Sequence, residues 1–187
     1  RQISNDYIQA AQQRGLTLAN VTRFRSVAVA KEQPQLVEVK AVTKNYPVRG
    51  ELRIGPQRLG PDRVVDAPPA ADALWVEPRL LGLLQATPGD PLRLGEKVFR
   101  IDGVIRWEPD RGGHLFRLAP RVLLALDQLP ATGLVTPASR VKHRFQRGRV
   151  AGKDARVHVV ATRYVAAFDH YAHGLRTLGD PLFAPGQ

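Results

Sequence analysis

Serine, histidine and carboxylate residues are the side chains in this sequence that could carry out chemistry. The serines are Ser4, Ser26 and Ser139, and none lies in the Gly-x-Ser-x-Gly turn that presents a hydrolase nucleophile. Nucleophilic catalysis also needs a base beside the hydroxyl, and the sequence shows no such constellation. We therefore do not expect a serine hydrolase.

A pair of histidines is the candidate for metal binding. His170 and His173 are three residues apart on a predicted helix, with Asp169 beside them. Such a pair binds a metal when a third ligand comes from elsewhere in the chain. The apolar residues of this segment already define its buried face, so the histidines lie toward the solvent edge. We expect a solvated helix face here rather than a metal site.

A loop with two carboxylates is the candidate for acid–base work. Glu108 and Asp110 flank Pro109, and His114 follows a Gly-Gly pair. These groups can serve as general acid and base, but a charged Pro/Gly loop at a strand end is more often solvated. The glycines do not form the Gly-x-x-x-x-Gly-Lys-Ser/Thr motif that holds ATP. We predict no catalytic, cofactor-binding or metal-binding residues, and no enzymatic activity.

The length of 187 residues allows one medium domain or two small ones. The absence of Cys excludes thiolate metal sites, iron–sulfur clusters, thiol catalysis and disulfides. No apolar run reaches the ~18 residues needed to cross a bilayer. The net charge is +11, and residues 140–163 carry +7 of it, from eight Lys or Arg against Asp154. Because basic segments contact phosphates, a nucleic-acid-binding module is the alternative reading.

Hydrophobic periodicity predicts the elements that would position these residues. Both chain ends combine helix and strand, and the middle is rich in strands. The predicted helices cover residues 6–13, 78–86, 120–129 and 162–178. The predicted strands cover residues 16–22, 26–30, 35–42, 50–54, 73–76, 92–94, 98–105, 115–118, 134–135, 141–145 and 156–161. Residues 55–72, 109–114 and 147–154 are predicted loops, and residues 179–187 a frayed end.

The segment of residues 73–105 has the clearest pattern. A strand leads into a helix that begins at Pro78 and buries the leucines at positions 80, 81, 83 and 84. A Pro-Gly-Asp turn centred on Gly89 then precedes two strands joined at Gly95-Glu96. We expect Gly89 to have a positive φ, because it links the helix to these strands.

A long, ordered set of motifs runs from about Arg14 to Phe145. It comprises QLVEVKAV at 35–42, YPVRGELR at 46–53, VEPR at 76–79, PGD at 88–90, EPDRGG at 108–113, LAPR at 118–121 and LPATG at 129–133. This set resembles the MacB-like periplasmic core of FtsX-family ABC-transporter permeases, in particular those of the YbbP type. The match fades after Phe145, in the same stretch that carries the basic charge, so the resemblance assigns no role to that stretch.

The resemblance implies an α+β fold with two subdomains. An α/β Porter-like layer would be built from both chain ends, residues 1–46 and 134–187. A β-rich Sabre-like subdomain, residues 47–133, would be inserted between them. The pattern of elements divides the chain at similar places, near Tyr46-Pro47 and after Pro130.

The resemblance also implies a function and a location. The chain would be a periplasmic domain of a bacterial inner-membrane permease, which transmits ATP-driven movement of the membrane helices to the periplasm. Its partners would be a cytoplasmic ATPase subunit, a second permease copy, and a periplasmic protein or lipid-like substrate. Loops 55–72 and 108–114 would make the substrate or partner contacts. Under this reading we do not expect nucleic acid as a partner.

Overall fold

The computed structural model describes residues 13, 16–109, 119–135, 142–149 and 158–163. This part of the chain is rich in strands and has little helix. The elements are β1 Leu16–Ala30, β2 Gln33–Val42, β3 Leu52–Gly55, β4 Arg63–Val65, β5 Ala73–Val76, α1 Pro78–Leu83, β6 Pro91–Leu94, β7 Lys97–Trp107, β8 Arg121–Ala125, the 3-10 helices Leu126–Gln128 and Pro130–Thr132, β9 Lys142–Arg149 and β10 His158–Arg163.

The first two strands form the predicted hairpin. Its turn is Lys31-Glu32, and both residues have positive φ, 47° and 62°, as two-residue hairpin turns require. β1 is one strand of 15 residues, whereas two shorter runs are predicted. Its pairing with β2 continues without a shift from Val21 to Ala30. Polar residues in the middle of β1 interrupt the apolar alternation but leave the backbone ladder intact.

The strand and helix predicted after residue 72 are confirmed, with a shorter helix. β5 leads into α1, which begins at Pro78 as expected and ends at Leu83. The end is a Schellman motif, because the N–H of Ala86 donates to the carbonyl of Leu81 and Gln85 has a φ of 50°. Leu83 is 47% exposed, so its predicted burial is wrong, whereas Leu80, Leu81 and Leu84 are buried.

The Pro-Gly-Asp turn and the hairpin after it are also confirmed. Gly89 has a φ of 99°, and the Asp90 carboxylate accepts hydrogen bonds from the N–H and the hydroxyl of Thr87. β6 and β7 pair across the Gly95-Glu96 turn. The loop predicted at residues 55–72 contains one short strand, β4, which pairs with β3.

The helix predicted over residues 120–129 is wrong. Residues 121–125 form β8, and residues 126–128 form a 3-10 turn. β8 lies between β2 and β5, and all five of its residues are buried. A strand covered on both faces reads as a continuous apolar run, which periodicity cannot distinguish from a buried helix.

Six of the described strands close into a hydrogen-bonded ring. Around the ring, β1 pairs with β2, β2 with β8, β8 with β5, β5 with β7, β7 with β6, and β6 with β1. The β2–β8 and β5–β7 pairs are parallel, and the others are antiparallel. β9 and β10 continue the sheet from β1, and β3 and β4 continue it from β7.

Two apolar clusters lie on the two faces of these strands. The larger takes buried residues from all six ring strands and from α1. The smaller includes Val42, Trp75 and Leu123, each next in sequence to a member of the larger cluster. Neighbouring residues of a strand point to opposite faces, so both faces of β2, β5 and β8 are covered.

Predictions for the two chain ends are tested only in part. Residues 142–149 form β9, which continues past the predicted run of 141–145 and replaces the first three residues of the loop predicted at 147–154. Residues 158–163 form β10, so the strand predicted at 156–161 is confirmed where it is described, and the helix predicted from residue 162 is wrong at residues 162 and 163. Gln13 is helical, in line with the predicted first helix. The rest of that helix, the strand at 115–118, most of the helix at 162–178 and the frayed end lie outside the described residues. No helix in the described ranges is long and apolar enough to span a membrane.

Candidate functional site

A buried lysine lies on the face of the sheet that carries the smaller apolar cluster. Lys40 is in β2, and its side chain has no exposed surface. It alternates with Val39 and Ala41 of the larger cluster, so it points to the same face as Val42. A lysine ammonium is rarely buried unless a charge partner and hydrogen bonds accompany it.

Glu108 is the charge partner of this lysine. It follows directly after β7, and its side chain is also fully buried. The Lys40 ammonium donates to the Glu108 carboxylate and to the Tyr46 hydroxyl. The Tyr46 hydroxyl donates in turn to the same carboxylate oxygen, over 3.0 Å. The Lys40 nitrogen also lies 4.1 Å from the centre of the Tyr46 ring, a cation–π contact.

Arg121 extends the contacts to a third strand. It is the first residue of β8, directly opposite Glu38 of β2. Its guanidinium lies 3.3 Å from the Glu108 carboxylate and 3.2 Å from that of Glu38. Two further hydrogen bonds join the Arg121 backbone to Glu77. The Arg121 N–H donates to the Glu77 carboxylate over 3.0 Å, and the Glu77 N–H donates to the Arg121 carbonyl over 2.9 Å.

We call Lys40, Tyr46, Glu108 and Arg121 the buried ion cluster. Its members come from β2, the segment after β2, the end of β7 and the start of β8. These segments are far apart in sequence, and Lys40 and Glu108 are 68 residues apart. A buried charge that loses its partner is strongly destabilising. The cluster therefore fixes the relative positions of three ring strands.

The structure brings together few of the residues considered for chemistry. Glu108 belongs to the buried ion cluster, so its predicted solvated setting is wrong. Ser26 lies in β1, opposite Val37. The other candidates lie outside the described residues: Ser4, Asp110, His114, Ser139, Asp169, His170 and His173. Within the described ranges no group of three His, Cys, Asp or Glu residues is placed to hold a metal ion.

Sequence reasoning missed three of the four members of the cluster. Lys40 lies in a run that is otherwise apolar at the buried positions, and such a lysine is a signal for a buried partner. Tyr46 precedes a proline and reads as the end of a strand. Arg121 falls in the segment predicted as a helix, where an arginine would be expected at the surface. Only the pairing of β2 with β8 places Arg121 beside Glu38 and Glu108.

The strand-rich fold has the architecture of an extracellular domain of an ABC-type transporter. The crystal structure of the extracellular domain of the noncanonic ABC-type transporter YknZ from Gram-positive bacteria superposes with a TM-score of 0.51. The match covers 96% of this chain and 80% of that chain, at 10% sequence identity. At this identity the likeness concerns the fold alone. No protein-family model matches the chain.

The sequence is similar to one curated permease in particular. It is 35% identical over 148 residues to the uncharacterized ABC transporter permease YbbP of Escherichia coli strain K12. The match covers 79% of this chain but 17% of YbbP, so the chain spans about a sixth of that relative. The predicted resemblance to a YbbP-type permease is therefore confirmed. The predicted periplasmic location agrees with the match to the extracellular domain of YknZ. Neither comparison supports the alternative that the chain binds nucleic acid.

Proposed function

We propose that this chain is the periplasmic domain of an ABC-transporter permease and transmits ATP-driven movement of membrane helices to the periplasm. The movement would serve export, extraction of a substrate or engagement of a partner. The proposal is supported by the similarity to YbbP and by a fold shared with the extracellular domain of YknZ. The domain itself would have no catalytic role.

The proposed layout keeps the two subdomains. Residues 1–46 and 134–187 would form the Porter-like part, which holds β1, β2, β9 and β10. Residues 47–133 would form the Sabre-like part, which holds β3 to β8 and α1. The closed ring contains strands from both parts, because β1 and β2 pair with each other, β1 also pairs with β6, and β2 also pairs with β8. The two parts would therefore move as one body.

The observation that carries the proposal is the hydrogen-bonded ring with the buried ion cluster across three of its strands. A domain that transmits force must resist internal deformation. A closed ring has no free edges at which its strands can separate, and the cluster adds a charged contact that is costly to break. Displacement applied at the chain ends would then reach the surface formed by residues 47–133.

The proposed partners follow from this role. They are a cytoplasmic ATPase subunit, acting through the full permease, a second permease copy, and a periplasmic protein or lipid-like substrate. Loops 55–72 and 108–114 are the proposed contact surfaces. The first of them contains β4, the strand farthest in the hydrogen-bonded order from β9 and β10.

A flexible linker in the intact permease tests the role. A Gly/Ser linker of about ten residues, inserted where the chain joins the membrane segments on either side, should abolish substrate movement while ATP hydrolysis continues, because a flexible chain cannot transmit force. The control carries the same linker between Lys31 and Glu32, in the exposed turn of the β1–β2 hairpin and outside the proposed contact loops. Full substrate movement with the junction linkers would show that the domain acts by binding alone.

A further inference from the structure

A cavity of about 600 Å³ lies beside β7, between the loop after β3 and the start of α1. Three arginines line it: Arg58 from the loop, Arg79 from α1 and Arg106 from β7. The lining also contains the carboxylates of Asp62 and Glu77 and an apolar part that includes Ile105. A cavity with three guanidinium groups is suited to an anion, provided that the two carboxylates do not neutralise them.

Each carboxylate accepts a hydrogen bond from a group outside the lining. Asp62 accepts from the Arg53 guanidinium, over 2.9 Å and 2.8 Å to its two nearest nitrogens. Glu77 accepts from the backbone N–H of Arg121, over 3.0 Å. Arg53 pairs with Asp62 from outside the lining and also contacts the Glu51 carboxylate at 3.1 Å. The lining itself carries three guanidinium groups against two carboxylates, a net charge of +1, so the field in the cavity is positive.

Arg106 is held in place by the loop that forms the opposite wall. Its guanidinium donates to the carbonyls of Arg58 and Gly60, the latter over 3.1 Å. A guanidinium has five N–H donors in a fixed plane, and these two bonds occupy two of them. They set the orientation of the group and keep its full charge, so less conformational entropy is lost when an anion binds.

We propose that this cavity binds a phosphate-type oxyanion. A carboxylate has two oxygens and is matched by one guanidinium, whereas a phosphate offers more oxygens and suits several guanidinium groups at once. The apolar part of the lining would contact whatever group the phosphate carries. The source is either a free phosphate or the headgroup of a phospholipid. The site does not depend on the transmission role, and binding is measurable on the chain without any transport.

The test is a titration of the whole 187-residue chain with inorganic phosphate at constant ionic strength, followed by amide chemical shifts. We expect saturable shifts at residues 58, 79 and 106. Arg58→Gln should weaken binding about tenfold, the loss of roughly one charge-assisted hydrogen bond. Arg93→Gln, which removes an exposed arginine on β6 outside the lining, should leave it unchanged.

Three results would overturn the proposal. They are the absence of saturable shifts, saturation at residues elsewhere, and equal weakening by the two substitutions. Arg58 is on an exposed loop, and the amide spectrum of each variant reports directly whether it is folded. Should Arg58→Gln disturb the loop, Arg58→Lys keeps the charge and should retain more phosphate binding than the Gln variant.

Vesicles distinguish the two sources. If the ligand is a headgroup, phosphatidylglycerol vesicles should bind the chain, and phosphatidylcholine vesicles should bind it less. Arg58→Gln should then weaken binding to the phosphatidylglycerol vesicles. If vesicle binding is absent or is unchanged by Arg58→Gln while the phosphate titration is positive, the ligand is a free phosphate.

Discussion

The ammonium group of Lys40 contacts the carboxylate of Glu108 where neither side chain is exposed to solvent. Lys40 belongs to β2, and Glu108 directly follows β7; these two strands do not pair with each other. Arg121, at the start of β8, contacts the same carboxylate over 3.3 Å. The contact between Lys40 and Glu108 therefore links strands that the backbone ladder joins only through their neighbours.

Replacement of Lys40 tests the contribution of this link to stability. Lys40→Met keeps most of the side-chain volume and removes the charge. The Glu108 carboxylate then loses one partner in a buried setting, so the free energy of unfolding should fall by about 3 kcal/mol. Urea unfolding, followed by circular dichroism, measures this change.

The matched control is the same substitution at Lys44. This lysine lies in the exposed turn after β2, and its replacement should change the free energy of unfolding by less than about 0.5 kcal/mol. Equal stability of Lys40→Met and Lys44→Met would mean that the cluster does not hold the strands in place.

Gly89 is one of the positions where the backbone conformation favours a glycine. Its φ is 99°, and a Cβ built there would meet no heavy atom within 4 Å. Gly89→Ala should therefore destabilise through backbone strain alone, by about 1–2 kcal/mol. The comparison is Gly82→Ala, in α1, where the new methyl group meets only the Arg58 side chain at 4.0 Å. That change should stabilise the helix by about 0.5–1 kcal/mol. Thermal unfolding should therefore show a lower melting temperature for Gly89→Ala and a higher one for Gly82→Ala than for the parent.

Gln85 is the first residue after the C-cap of α1, Leu84, and has a left-handed conformation with a φ of 50°. Glycine is the usual residue there, because it has no Cβ to crowd the backbone. Gln85→Gly should raise the free energy of unfolding by about 0.5–1 kcal/mol, as measured by urea unfolding. A less stable variant would show that the Gln85 side chain makes contacts that outweigh the strain.

Asp90 predicts a dependence of stability on pH. Hydrogen bonds from Thr87, and the Lys31 ammonium at 3.0 Å, hold the pKa of this carboxyl below its ordinary value. A carboxyl with a lowered pKa in the folded state stabilises the fold above its unfolded pKa, and this contribution is lost as the pH falls through the folded pKa. Asp90→Asn should therefore be less stable than the parent near pH 6, and the difference should shrink toward pH 2.

Thermal melts across this pH range measure the effect. Asp127→Asn, which removes an exposed carboxylate from a 3-10 turn, corrects for the loss of a surface charge. A difference between the parent and Asp90→Asn that stays constant from pH 6 to pH 2 would contradict the assigned role of the carboxylate.

Local patterns predicted the hairpins and turns well. The β1–β2 hairpin, the start of α1 at Pro78 and the positive φ of Gly89 all follow from residues that act over a few positions. The nature of β8 did not follow, because its burial comes from β2 on one side and β5 on the other. An apolar run such as Val122 to Leu124 fits a helix equally well until its neighbours are known.

The buried ion cluster could not be predicted from the sequence for the same reason. Glu108 looked like part of a solvated loop, since Pro109 and a Gly-Gly pair follow it. Its burial depends on Lys40 and Arg121, which reach it only when β2 and β8 pair in parallel. Lys40 in an apolar run signals a buried partner, but the local sequence does not identify Glu108 or Arg121 as that partner.

The central claim is that the domain moves as one body during the transport cycle. The chain has no Cys, so cysteines can be introduced and spin-labelled at chosen positions. Lys44 lies in the proposed Porter-like part. Leu59, whose side chain is 77% exposed, lies in the proposed Sabre-like part. Pulsed electron paramagnetic resonance on the intact transporter, in a background whose other cysteines have been replaced, then gives two distances. One is between Lys44 and Leu59 within a chain, and the other is between the Lys44 positions of two copies.

Rigid-body transmission predicts that the distance within the chain is the same with and without ATP, while the distance between the copies changes. A change in the distance within the chain would contradict movement as one body. An unchanged distance between the copies while the transporter turns over would contradict any movement of the domain with the cycle.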